Sequence, residues 1–216
     1  MNKTRKPFAL SFALSLALIA MLLSLTGCQM VGWLAHGLTP EEGPPVIEPE
    51  YQGLIGKSVA VLVAVDERST SPAVAWKICA HVSSRLASTV RDIRVVDSRQ
   101  MIKFMKENPD WIATPHGELV REMKVDRVVH IDVAQFTTHE PGNKELWQGN
   151  LIARVGILEA DAKDPYKFAY VTDQQVLFPP DQPIGMLKAN DEVIQTGMLN
   201  AFTDRLAALL REPDAK

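Results

Sequence analysis

The sequence predicts an α/β fold: a single domain whose mixed sheet of about five strands has helices packed on it, in the order β-α-β-α-α-β-β-β-α. Three observations predict it. Residues 57–65, KSVAVLVAV, are β-branched and apolar on both faces, as a buried central strand requires. A stripe at helical spacing follows directly, with Val74, Ile78, Val82 and Leu86 on one face. Two long strand-like runs, Trp147 to Glu159 and Tyr166 to Phe178, flank the polar turn 160–165 and read as an antiparallel hairpin.

The remaining elements follow in order. Ser71-Pro72 supplies an N-cap and a first helical residue for the helix that runs to about Val90. Ile93 to Val96 is a short second strand. Asp97 or Ser98 caps a second helix carrying Met101, Ile102 and Met105, which Asn108-Pro109 stops. Thr114-Pro115 opens a short helix with Leu119, Val120 and Met123. Asp126 to Phe136 is the third strand, and 137–146, with Pro141-Gly142, reads as a loop. Pro179, Pro180 and Pro183 mark a second long loop, 179–189. Asn190 caps the last helix, where Asp191 and Glu192 suit the positive end and Ile194, Met198, Phe202, Leu206 and Leu210 form the buried stripe.

The first 28 residues carry a separate signal. Lys3, Arg5 and Lys6 precede 18 largely apolar residues, Phe8 to Leu25, and the run ends in Leu25-Thr26-Gly27-Cys28. A cationic start, an apolar middle and small residues at the end make a secretory signal. The ending resembles the lipobox of bacterial lipoproteins. That resemblance implies a lipid on the Cys28 thiol and cleavage after Gly27, giving a signal peptide over 1–27. Gln29, by the sorting rule of such proteins, implies the outer membrane, facing the periplasm. Residues 28–56 form a lipidated, Pro- and Glu-rich tether, 57–212 the domain and 213–216 a tail. The whole chain has a formal net charge of −3, and cleavage would remove three cations and no anion. Such a domain is repelled by nucleic acid and anionic membranes, so the lipid has to hold it. With Cys28 acylated, Cys79 remains alone, which excludes an internal disulfide and a thiolate metal cluster.

The element order and four strings resemble the small α/β domain shared by the amino-terminal domain of the Tol-system propeller protein, the curli-secretion lipoprotein and the lipoproteins that activate penicillin-binding proteins. The strings are KSVAVLVAV, IRVVDSRQM, VDRVVHIDVAQF and LIARVGILEAD, within about residues 57–211. The resemblance implies a tethered, non-catalytic accessory part of an envelope assembly. The chain departs from these families in having neither propeller repeats nor transmembrane-hairpin insertions.

Candidates for chemistry are few. The five histidines show no H-E-x-x-H spacing. His130 and Asp132 share one face of a strand and, with His139 and Glu140 at its end, would make the one metal or hydrolase grouping; a polar sheet edge explains them as well. Cys79 sits on the flank of the first helix stripe, and His81, two positions on, points elsewhere, so a buried structural thiol is expected. Ser83-Ser84 lies mid-helix with no G-x-S-x-G elbow. Glu159 and Asp161 read as solvated turn acids, and no glycine-rich phosphate loop occurs. No catalytic, cofactor-binding or metal-ligating residue is therefore expected. Phe178, Pro179, Pro180 and Ile184 are the candidate partner contacts, in a loop that otherwise closes a sheet edge. The expected role is a membrane-anchored docking module for an unidentified envelope protein. A small-molecule or lipid carrier is the first alternative and a tethered hydrolase the second.

Cys28→Ala should release the protein from membranes or leave it as uncleaved precursor. Fractionation with intact-mass measurement checks this; unchanged, lipid-modified mature protein would refute the lipobox assignment.

Overall fold

The computed structural model describes residues 47–68 and 70–212. Cys28 and the cleavage position after Gly27 lie outside the described residues. The elements are β1 (Ser58–Val65), α1 (Pro72–Thr89), β2 (Arg94–Val95), α2 (Ser98–Glu107), a 3-10 turn (Pro109–Ala113), α3 (His116–Met123), β3 (Arg127–Glu140), β4 (Asn143–Glu159), β5 (Tyr170–Phe178), β6 (Ile184–Gly185) and α4 (Asp191–Leu210). The main sheet runs β2-β1-β3-β4-β5, and the two-residue β6 pairs with β4. β1 is parallel to β2 and β3, and the other pairs are antiparallel, so the sheet is mixed.

β1 is central and apolar on both faces because both are covered. Val59 to Leu62 are all fully buried. One face of the sheet carries Val61, Val129, Ile131, Val155 and Ile157, aligned across β1, β3 and β4 by the register. α1 and α4 lie on this face, with Ile78, Val82, Leu86, Met198, Phe202 and Leu206 in the core. The caps form as their residue types dictate. Ser71 accepts from the Ala73 N–H at 3.3 Å, Asp97 from Arg99 at 2.8 Å and Asn190 from Val193 at 2.9 Å. Where β2 ends, α2 takes over the edge of β1. There Val63 N–H donates to Met105 Sδ and Cys79 Sγ–H to the Val61 carbonyl, each at 3.4 Å.

Three expectations are corrected. The loop expected over 137–146 is a continuation of the strands. β3 runs to Glu140, and only Pro141 and Gly142 separate it from β4. Thr137 and Thr138 suit strand geometry, and Gly142 supplies the positive φ of +82° that so short a link needs. The bulges between Val133 and Gln135 and beyond Thr137 hide the alternation that marks a strand. Second, β5 begins at Tyr170 rather than Tyr166, because Asp164 accepts from the Tyr166 and Lys167 N–H groups, by side chain and carbonyl respectively, and holds a turn. Third, of the expected tether, 47–56 pack on the domain as a strap. The Glu50 and Tyr51 N–H groups donate to the Leu209 carbonyl at 2.9 and 3.1 Å, and Leu54 is fully buried.

The strap is locked by a buried cation. Arg127 is 5% exposed at the start of β3. It donates to the Gly53 carbonyl at 3.1 Å, the Asp126 carbonyl at 2.8 Å and Asp161 Oδ1 at 2.5 Å, with Glu159 at 3.4 Å. Arg127→Ala leaves Glu159 and the Gly53 carbonyl short of a partner and should destabilise the domain by about 3 kcal/mol. Urea denaturation checks this, and protection of the Tyr51 amide, which donates to the Leu209 carbonyl, from hydrogen exchange should fall with it.

Candidate functional site

The second face of the sheet is covered over part of its area only. The register stacks His130 of β3 beside Gly156 of β4. Phe168 lies flat on Gly156, where a larger residue would collide with the ring. Around His130 stand Trp111, His116 and Phe168, at ring-centroid distances of 5.5, 5.9 and 5.8 Å. His116 packs on Phe168 at 4.4 Å. Burial, and then the neighbouring His116, push the His130 imidazole down to about 4, against a weaker pull from Asp132. His130 is a neutral packing group here, set in an aromatic cluster.

Further along the same face Asp132, Arg154 and Asp173 are exposed, with Arg154 Nε 2.8 Å from Asp173 Oδ1. The structure does not bring His130 and Asp132 to His139 and Glu140. Nine positions of strand separate the histidines, roughly 30 Å at strand rise. Sequence reasoning ended the strand too soon and so placed them too close. Among the described residues no group of three His, Cys, Asp or Glu side chains is set to hold a metal ion.

His139 belongs instead to a crevice of about 670 Å³ between the ends of β3 and β4 that meet at Pro141-Gly142 and the first turns of α1 and α4. Thr70, Ser71, Phe136, Thr138, Asp191 and Gln195 are among its lining residues. Its polar groups are largely engaged with one another. Thr138 Oγ1 donates to Asp191 Oδ1 at 2.6 Å and Gln195 Nε2 to Asp191 Oδ2 at 2.5 Å, and Lys77, outside the lining, donates from Nζ to Gln195 Oε1 at 2.7 Å. His139 stacks on Trp147 with centroids 4.0 Å apart.

Cys79 is fully buried. Burial pushes its thiol up to about 11, more than the Ser83 hydroxyl lowers it. A thiolate nucleophile has no basis there. His81 lines a different, polar cleft between α1 and α4, beside the Arg85–Asp204 ion pair at 2.8 Å. Glu159 and Asp161, read as solvated turn acids, are the partners of Arg127, and Asp161 is held below the usual carboxylate range by that guanidinium.

The candidate partner contacts divide. The Phe178 ring packs on Gly197 of α4, and Ile184 is half-buried in its pairing with Trp147. Pro179 is half-buried and Pro180 exposed. Sequence reasoning missed the neighbouring exposed apolar residues, Leu177, Met186 and Leu187. Their signal was present as an apolar pair beyond a two-residue strand, but sequence alone does not say which side of such a loop faces water.

No protein-family model matches the chain. No curated protein matches it either. Among solved structures it is similar to the lipoprotein GNA1162 from Neisseria meningitidis, at 15% identity and a TM-score of 0.47, covering 69% of this chain and 97% of that one. It is also similar to the PelC dodecamer from Paraburkholderia phytofirmans, at 8% identity and 0.46, covering 76% and 95%. A third is the uncharacterized lipoprotein B from Nitrosomonas europaea, at 12% identity and 0.32, covering 78% and 87%. At these values the likenesses carry no argument about role.

Two outcomes follow from the burial. His130 is neutral in the fold, so its contribution is present above pH 6.5 and lost as pH falls from there towards 4. The loss should reach about 3 kcal/mol near pH 4. His130→Phe should flatten that part of the urea-midpoint profile against pH. Cys79→Ser should cost about 1 kcal/mol. In the folded wild type the thiol should resist alkylation at neutral pH and react only after denaturant is added.

Proposed function

We propose that the protein is a non-catalytic lipoprotein of the bacterial cell envelope, held by lipid on Cys28 in the outer membrane facing the periplasm, and that it acts as a docking module for a larger envelope assembly. The observation that carries this reading is the Leu25-Thr26-Gly27-Cys28 sequence ahead of a single folded domain. Tethering confines that domain to a thin layer and raises its effective concentration for a neighbouring envelope protein. The non-catalytic part of the reading is supported by dispersal. The thiol is in the core, His130 is under an aromatic cluster, and His139 is at the far end of the strand.

The crevice beside the β3–β4 turn favours a second reading, a carrier for a small molecule or lipid. One experiment separates the two. Lysine-reactive crosslinking in intact cells, followed by mass spectrometry, should give one dominant envelope partner for the docking module. That partner should be lost when Cys28→Ala releases the domain from the membrane. A reproducible small molecule that copurifies with the protein, and no protein adduct, would favour the carrier.

A further inference from the structure

The end of the sheet opposite the strap carries three exposed apolar residues, two on the loop after β6 and one in the first turn of α4. Met186 is 53% exposed, Leu187 fully exposed and Val193 51% exposed. These three lie within eight positions. They include the two most exposed large apolar residues at this end, although Met186 is fixed on both sides. Its N–H donates to the Glu145 carbonyl at 3.1 Å, and its own carbonyl accepts from Trp147 Nε1 at 3.4 Å. β6 pins the same loop to β4, and the Thr138–Asp191 bond ties the start of α4 to β3. The backbone under these side chains is therefore tied to β3 and β4, and ordering it on binding costs less than ordering a free loop.

The surround of the patch is acidic. In segments 140–145 and 181–193 five carboxylates, of Glu140, Glu145, Asp181, Asp191 and Glu192, outnumber the two cations Lys144 and Lys188, and from outside these segments Lys77 of α1 reaches Gln195. An anionic bilayer would meet charge of its own sign there. A protein with an apolar centre and a basic rim would meet the opposite sign. The strap residues 50–54 are tied at the other end of β4, a strand of 17 residues and thus roughly 50 Å, so the strap and this patch lie at opposite ends of the sheet.

We propose that Met186, Leu187 and Val193, with their acidic surround, are the surface on which the docking module receives its partner, and that the partner is a protein presenting an apolar patch rimmed by Lys or Arg. This rests on the docking reading and names its surface.

The test uses the full-length protein in intact cells, with a photo-reactive benzophenone amino acid placed in turn at Leu187, Ile112 and Val171. All three positions are exposed. Leu187 should give a single adduct with another protein, absent at the other two positions. Glu145→Lys with Asp181→Lys should cut its yield about tenfold. Both acids are exposed and outside helices, and an unchanged melting temperature would show that the variant folds. An adduct indifferent to the charge reversal overturns the proposal, as do a lipid adduct, an adduct with a second copy of the chain, or none at Leu187. Protein adducts confined to Ile112 or Val171 would leave the docking reading standing and remove this surface. No protein adduct at any position would overturn both.

Discussion

Arg127 is a positive charge almost wholly removed from water, and the strap end of the domain is arranged around keeping it charged. Burial works against the guanidinium; Asp161, Tyr51 and Glu159 outweigh it and hold its affinity for the proton above the usual value. Its donors reach the strap, β3 itself and the turn after β4 at once. Removing any of these would leave a buried charge or carbonyl unpaired, which costs more than the bond itself contributes. Tyr51 extends the network. Its hydroxyl donates to Glu159 at 2.6 Å and its ring stacks on Tyr170 at 5.5 Å. Beside it, Ser58 donates through both N–H and hydroxyl to Asp126 at 2.7 Å, aligning the starts of β1 and β3. The parallel register of the central strands is thus fixed at the end where the chain enters.

From that fixed end the character of the sheet changes along its length. Near the strap both faces are covered, and the second face is filled by Trp111, His116 and Phe168. Farther on, β3, β4 and β5 carry exposed polar residues on that face, the alternation of a sheet with one side in water. At the far end β3 and β4 run on as a two-stranded arm. Such an arm is weak on its own, and here it is braced by β6, the His139–Trp147 stack and the Thr138–Asp191 bond. The domain therefore presents its far end on a stiff support.

The fold also disposes of most groups that look reactive in the sequence. Cys79 becomes an inert hydrophobe whose weak donor satisfies a β1 carbonyl left over where β2 stops. His130 becomes a neutral ring among rings. Met105 does for the Val63 N–H what a longer second strand would have done. For Cys79 and His130 burial selects the uncharged form, because a charge in that setting is not offset against its desolvation.

The sequence by itself determined the order of elements, the mixed α/β class, the three capped helix starts and the buried helix stripes. Each of these is set locally, by periodicity or by one side chain bonding a neighbouring backbone group. The resemblance of Leu25 to Cys28 to a lipobox likewise rests on adjacent residues, which lie outside the described part of the chain. Only the tertiary structure decided that 137–146 is strand, that 47–56 belong to the domain, and that Glu159 and Asp161 serve Arg127. Those outcomes depend on partners far away in sequence: Thr137 pairs with Asn150, Glu50 with Leu209, Arg127 with Asp161. A bulged strand, a strap and a buried arginine leave little periodic trace in the chain, since what stabilises them is supplied by the surface they meet.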